Sequence, residues 1–267
     1  MAADYDGRYL VYSLLHSTTT FDDWSLHLWD SAGTAPAREI ARSPRGGDSV
    51  PLPGPLNNPL VHQGRVVWVQ AQPLGEGTAL HAYDISSGRR TTLRDGHPGI
   101  PVRMGSWLLW PESDAPGALV RLRGMDFATG TALRLPAALQ DVRGATSLAA
   151  SDDVLAWAAP DLRTLWVWRR NQPRPVAVAT EAAGATVQAI HIAGDVVTYD
   201  SGSAQWAVDL RSGARTQLTP QFGAQHTGGT YLKVQYAPGT ENEHHSGLGD
   251  ETIVNLKTLA PLPACER

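Results

Sequence analysis

Residues 64–93 read GRVVWVQAQPLGEGTALHAYDISSGRRTTL. An apolar run follows Gly64, a Gly-rich loop interrupts it, and an alternating run leads to the turn Asp84-Ile85-Ser86-Ser87-Gly88. A third, shorter run closes the stretch. Gly88 can take the positive φ that a hairpin corner requires. The stretch therefore predicts three short strands joined by hairpins. One such sheet cannot bury both of its faces by itself, so it must stack on others of its kind.

The rest of the chain supplies those others. Runs resembling the first strand start at Gly7 (RYLVY), Gly64 (RVVW), Gly105 (SWLLW), Asp152 (DVLAW), Gly194 (DVVTY) and Gly229 (TYLKV). Runs ending in an Asp hairpin are LHLWDSAG, LHAYDISSG, LRGMDFATG and WAVDLRSG, with looser copies LWVWRRNQP and TIVNLKTLA. Their markers, Asp30, Asp84, Asp126, Arg169, Asp209 and Asn255, stand 54, 42, 43, 40 and 46 residues apart. That period belongs to a propeller blade of four strands. The expected fold is all-β, a six-bladed β-propeller of four-stranded antiparallel blades in a single domain. The blades fall near 1–46, 55–96, 98–139, 144–182, 185–220 and 221–264. In a full blade, NPLVHQ-like residues form the innermost strand and RRTTL, TALRL or ARTQL the outermost. The first copy has only MAADYD before Gly7. Either these residues are a poor innermost strand, or the C-terminal tail helps to close the ring, or an upstream strand is missing. Trp68, Trp110, Trp157 and Tyr199 share a register and are read as core between sheets. No window sustains a 3.6-residue period, so little helix is expected.

The run GRVVW at Gly64 and GDVVTY at Gly194, with the turns YDISSG at Asp84 and VDLRSG at Asp209, resembles the six-bladed propellers of the TolB-like kind. The resemblance covers most of the chain. It implies an extracytoplasmic bacterial protein that binds partners through one face or the central channel. It implies no particular activity, because propellers serve many.

Composition narrows the function classes. With 42% hydrophobic and 18% charged residues, a core is affordable and disorder is excluded as a description of the whole chain. A net charge of -4 lacks the basic surplus of a nucleic-acid binder. Cys265 is the single cysteine, which excludes an internal disulfide framework. No apolar stretch reaches the length of a membrane span. MAADYDGRYLVYSLL is not a signal peptide, and its abrupt entry into a strand suggests that an upstream segment was removed. The expected location is periplasmic or cell-surface, with a short natural N-terminus on a cytoplasmic protein as the alternative.

Three groups are candidates for function. The loops joining second to third strands, with the inter-blade connections, are longer and more varied than the turns at the opposite end, and such loops usually carry binding. The longest of these connections are residues 16–24, 45–58 and 237–250. Acids recur in or beside the loops between second and third strands: Asp22, Asp23, Glu76, Glu112, Asp114, Asp161, Asp200, Glu241, Glu243 and Asp250. Such a set attracts a cation, a basic peptide or an amine; the plainer alternative is solubility. His62, Arg103, His191 and His226 lie on innermost strands and are the channel candidates. His244 and His245 beside Glu241 and Glu243 are the metal-like cluster, although adjacent side chains of a strand point to opposite sides.

No Gly-x-Ser-x-Gly elbow and no sialidase-type Asp box occurs. The expectation is a non-catalytic binding or scaffold propeller, possessing no cofactor and holding a protein or small-molecule ligand on its loop-rich face. The alternative is a divalent-metal-dependent hydrolase or lactonase with its site at the channel mouth.

Overall fold

The computed structural model describes residues 3–16, 23–43, 59–72, 77–115, 118–145, 147–202, 204–219, 223–228, 231–236 and 250–255. They form six antiparallel sheets, each built from strands consecutive in sequence. The chain divides into two compact units, residues 1–142 and 143–267, with three sheets in each.

In the first unit, β1 (Ala3–Tyr5), β2 (Tyr9–Leu15), β3 (Trp24–Asp30) and β4 (Arg38–Arg42) make the first sheet. The second is β5 (Leu60–His62), β6 (Arg65–Ala71), β7 (Thr78–Asp84) and β8 (Arg90–Gly96). The third is β9 (Val102–Met104), β10 (Trp107–Glu112) and β11 (Arg121–Asp126). In the second unit, β12 (Leu148–Ala150), β13 (Val154–Ala158), β14 (Thr164–Arg169) and β15 (Val176–Thr180) form the fourth sheet. The fifth is β16 (Gln188–Ala193), β17 (Val196–Ser201), β18 (Ala204–Asp209) and β19 (Arg215–Thr219). The sixth is β20 (Gly223–Gly228), β21 (Tyr231–Tyr236) and β22 (Asp250–Asn255). Neighbouring sheets approach through their first strands: β1 lies beside β5, β12 beside β16, and β16 beside β20.

The first copy does have an innermost strand. Ala3, Asp4 and Tyr5 pair with Tyr12, Val11 and Leu10. Its brevity hid it in the sequence, but β5, β9 and β12 are no longer.

The turns explain the repeat. In each of five sheets, the residue one step beyond the third strand donates its N–H to the turn between the first two strands. These bonds are Ser31 to Arg8 O (2.9 Å), Ile85 to Gly64 O (2.9 Å), Phe127 to Ser106 O (2.8 Å), Arg170 to Asp153 O (2.9 Å) and Leu210 to Asp195 O (2.8 Å). The Asp residues tie the same corners. Asp84 Oδ1 accepts from Ser86 Oγ, Ser87 N and Ser87 Oγ at 2.7–2.8 Å, and Gly88 turns the chain at φ +70°.

The aromatic register is core. Trp68, Trp110, Trp157 and Tyr199 are all buried, and each faces its partner across the hairpin: His81, Arg123, Trp166 and Trp206. The fourth strands share a second device. Each of β4, β8, β15 and β19 slips register by one residue, leaving Ile40, Leu93, Val178 and Leu218 without a ladder partner. Ile40, Leu93 and Val178 pack on the apolar clusters between sheets. A bulge at that point bends the outer strand and blunts its edge.

The third sheet departs from expectation. TALRL does not form a full outer strand: Ala132 bridges Met125, Leu133 N–H reaches Gly124 O at 3.0 Å, and the chain then enters a one-turn helix, α1 (Ala137–Gln140). Pro136 cannot donate to a ladder. Curling inward buries Leu135 and Leu139, and a Cβ at Gly124 would meet Leu109 Cδ2 at 2.8 Å and Leu135 Cδ2 at 3.1 Å. No helix among the described residues is long and apolar enough to cross a membrane.

Candidate functional site

The two ends of the first, second, third and fifth sheets differ chemically. At the end carrying the Asp turns, the carboxylates are consumed locally. Asp30 pairs with Arg8 at 2.8 Å, Asp126 accepts from Thr129 N and Oγ1, and Asp209 pairs with Arg211 at 3.0 Å. Asp84 is held down at about 2, first by the Ser86 hydroxyl and then by the Ser87 N–H and hydroxyl.

At the opposite end the connections vary in length and content. Asp23 ends the first connection, and its carbonyl accepts the His16 N–H at 2.8 Å. Asp114 is exposed just beyond β10. Asp161 is exposed too, but its Oδ1 takes the N–H groups of Arg163 and Thr164 at 2.8 and 3.2 Å, and these lower its pKa. Asp200 is half-buried near the end of β17. Glu112 is different. It is buried, it forms an ion pair with Arg94 of the neighbouring sheet, and it accepts Trp110 Nε1–H at 2.8 Å. Burial works against its charge, yet the Arg94 and Trp110 hydrogen bonds outweigh that and leave it below the ordinary carboxylate range. Glu112 thus joins two sheets and offers little to a partner. Asp22, Glu76, Glu241, Glu243, His244 and His245 lie outside the described residues. Among the described residues, no three of His, Cys, Asp and Glu converge as a metal site.

The innermost strands place the channel candidates unevenly. His62 ends β5 and turns its ring edge-on to buried Phe127, with centroids 5.6 Å apart, so it packs between sheets. Arg103 sits at the middle of β9 and donates to Gly105 O at 3.0 Å. His191 lies on β16 opposite buried Thr198, and His226 lies on β20 opposite Lys233.

Sequence reading missed Asp4, the middle residue of β1. Its Oδ2 accepts the Val61 N–H at 2.8 Å, and the Arg103 charge acts on it. Burial nonetheless raises its pKa above the usual carboxylate value. The unmatched acid in ADY was the available signal. Glu181 was missed as well. It is buried, accepts Tyr199 Oη–H at 2.8 Å and pairs with Arg215 at 2.7 Å. The Arg215 guanidinium carbon sits over Trp206, 3.9 Å from the ring centre.

No protein-family model matches the sequence, and no curated protein matches it. Solved structures do resemble it. TolB from Acinetobacter baumannii superposes with a TM-score of 0.57 at 13% identity, covering 94% of this chain and 61% of TolB. A prolyl endopeptidase gives 0.57 at 15% identity over 98% of this chain and 40% of its own. A chain of a mitotic checkpoint complex gives 0.53 at 11%, over 89% and 70%. The chain therefore spans less than two thirds of TolB and of the endopeptidase. At these identities the likeness is one of fold. With six sequence-consecutive antiparallel sheets and these neighbours, the chain has the fold of a TolB-like β-propeller.

Proposed function

We propose that this chain is a non-catalytic, extracytoplasmic interaction propeller, the binding or sensor part of a larger bacterial protein. It holds a protein or small-molecule partner on the ends of its sheets where second and third strands are joined. The contrast between the two ends carries this reading. The Asp-turn ends repeat one self-satisfied corner, whereas the opposite connections differ from sheet to sheet and expose Asp114. Varied loops on a rigid repeated frame are where recognition is placed. Asp23, Asp114 and Asp200 are its described contacts; Asp22, Glu76, Glu241 and Glu243 complete the acidic set, favouring a partner with a basic or amine-bearing surface. The TolB-like fold supports the extracytoplasmic setting, and a checkpoint-complex chain of the same fold supports a role in assembly.

The test uses the untagged chain, coupled to a support and exposed to envelope extract of its source cells. A specific partner is expected from the wild type. Asp114→Arg and Asp23→Arg should weaken capture, while Arg89→Glu, at the opposite end, should leave it intact. Equal capture by all of them would overturn the assignment of this end. Finding the native protein in the cytosolic fraction would overturn the location.

A further inference from the structure

His16, Ser25 and His27 form a polar node in the first sheet, beside the connection that ends at Asp23. His16 Nε2 lies 2.7 Å and His27 Nε2 2.8 Å from the same oxygen, Ser25 Oγ. Ser25 is fully buried. His27 stacks on Tyr12 with centroids 5.4 Å apart and planes at 17°. His16 is exposed and follows the last residue of β2. Glu39 stands opposite His27 across β3 and β4. Its carboxylate is held below the ordinary range first by the Arg42 hydrogen bond.

A serine hydroxyl has one proton. With two lone pairs as well, it donates to at most one Nε2 and accepts from the other or from both. A neutral imidazole carries its proton on either ring nitrogen, so placing both ring protons on Nδ1 presents two bare nitrogens to the shared point, with no proton gained or lost. Two convergent neutral imidazoles suit borderline divalent ions rather than calcium or magnesium, which take oxygen.

We propose that His16 and His27 clamp a divalent transition ion, Zn²⁺, Ni²⁺ or Cu²⁺, at the point now held by the Ser25 hydroxyl. Metal–nitrogen bonds of about 2.0–2.1 Å are shorter than these hydrogen bonds. The ion therefore displaces the hydroxyl, Ser25 turns to another rotamer, and His16, at the strand end, makes the small approach needed. Water fills the remaining positions.

The experiment is calorimetric titration of the metal-stripped, untagged full chain with Zn²⁺, repeated with Cu²⁺ followed by visible absorption. One equivalent should bind. His16→Gln, an exposed change that circular dichroism should show to be folded, is expected to weaken binding by about tenfold or more, a scale that even outer-shell partners reach. His27→Gln should do the same, and Ser25→Ala should preserve or tighten binding, because no hydroxyl then competes. Absence of stoichiometric binding, or unchanged affinity in His16→Gln, overturns the site. So does loss of binding on His244→Ala or His245→Ala with His16→Gln silent. Loss in Ser25→Ala overturns the placement at the hydroxyl.

Discussion

Asp4 of β1 hydrogen-bonds the backbone N–H of Val61 in β5, at 2.8 Å. A side chain of the first sheet thus satisfies a main-chain donor in the second, at a residue that is almost completely buried. Burial raises the Asp4 pKa while the Val61 bond and the Arg103 charge pull it down. Asp4→Asn keeps an acceptor without a buried charge, so above the Asp4 pKa it should be neutral or stabilising. Asp4→Ala orphans the Val61 N–H and should cost about 1–3 kcal/mol. Urea unfolding curves at neutral pH compare the two; equal losses in both would mean that the hydrogen bond is not what Asp4 supplies.

Glu181 depends on Arg215 more than on Tyr199. Arg215→Ala removes the ion-pair partner of a buried carboxylate, and should cost about 3 kcal/mol or more. Tyr199→Phe removes one hydrogen bond but leaves the ion pair, and should cost about 1 kcal/mol. Burial, and then the bond to Glu181, raise the Tyr199 pKa. An ultraviolet pH titration should therefore show a late-ionising tyrosine that Tyr199→Phe removes.

His81 stays neutral in the fold to about pH 4, chiefly because it is partly buried against Trp68 and secondly because Arg90 is near. Its unfolded value is 6.5. Between these limits the unfolded chain binds the extra proton, so stability falls as pH drops from about 6.5 to about 4, then levels off. His81→Gln should flatten that part of the stability–pH curve relative to wild type. Histidine NMR titration should find one ring with a midpoint near 4; a midpoint near 6.5 for His81 would refute the account.

The Asp84 corner should respond to acid at a lower pH. With its pKa depressed to about 2, its contribution is complete above the unfolded value of 3.8 and is lost as pH falls through 2. Asp84→Ala should remove that acid dependence, as seen in melting temperatures measured from pH 4 to 2. Gly88→Ala has room for its methyl, with Tyr83 Oη at 3.6 Å, but must hold φ +70°. It should cost about 1 kcal/mol through backbone strain alone.

What is local could be read from the order of residues alone. The alternation around Trp68, the Asp-x-x-Ser-Gly corner at Asp84 and the period near 40 residues specify hairpins and their number, because turn geometry and strand alternation act between near neighbours. The registers of Trp68, Trp110, Trp157 and Tyr199 were legible for the same reason, since each faces its hairpin partner. Whatever depends on a neighbouring sheet emerges from the stacking. His62 meets Phe127, 65 residues away, and packs between sheets. Glu112 looks like a loop acid until Arg94 of β8 is set beside it. TALRL has the composition of its sister strands, but burial of Leu135 and Leu139 pulls the chain off the ladder after Leu133. Asp4, Glu181 and the His16–Ser25–His27 node carry no spacing signature, because their partners are brought together by stacking and strand pairing, not by a repeat. The apolar runs dictate that sheets must stack; which polar groups meet is settled by the side chains that stacking leaves with no water to bond.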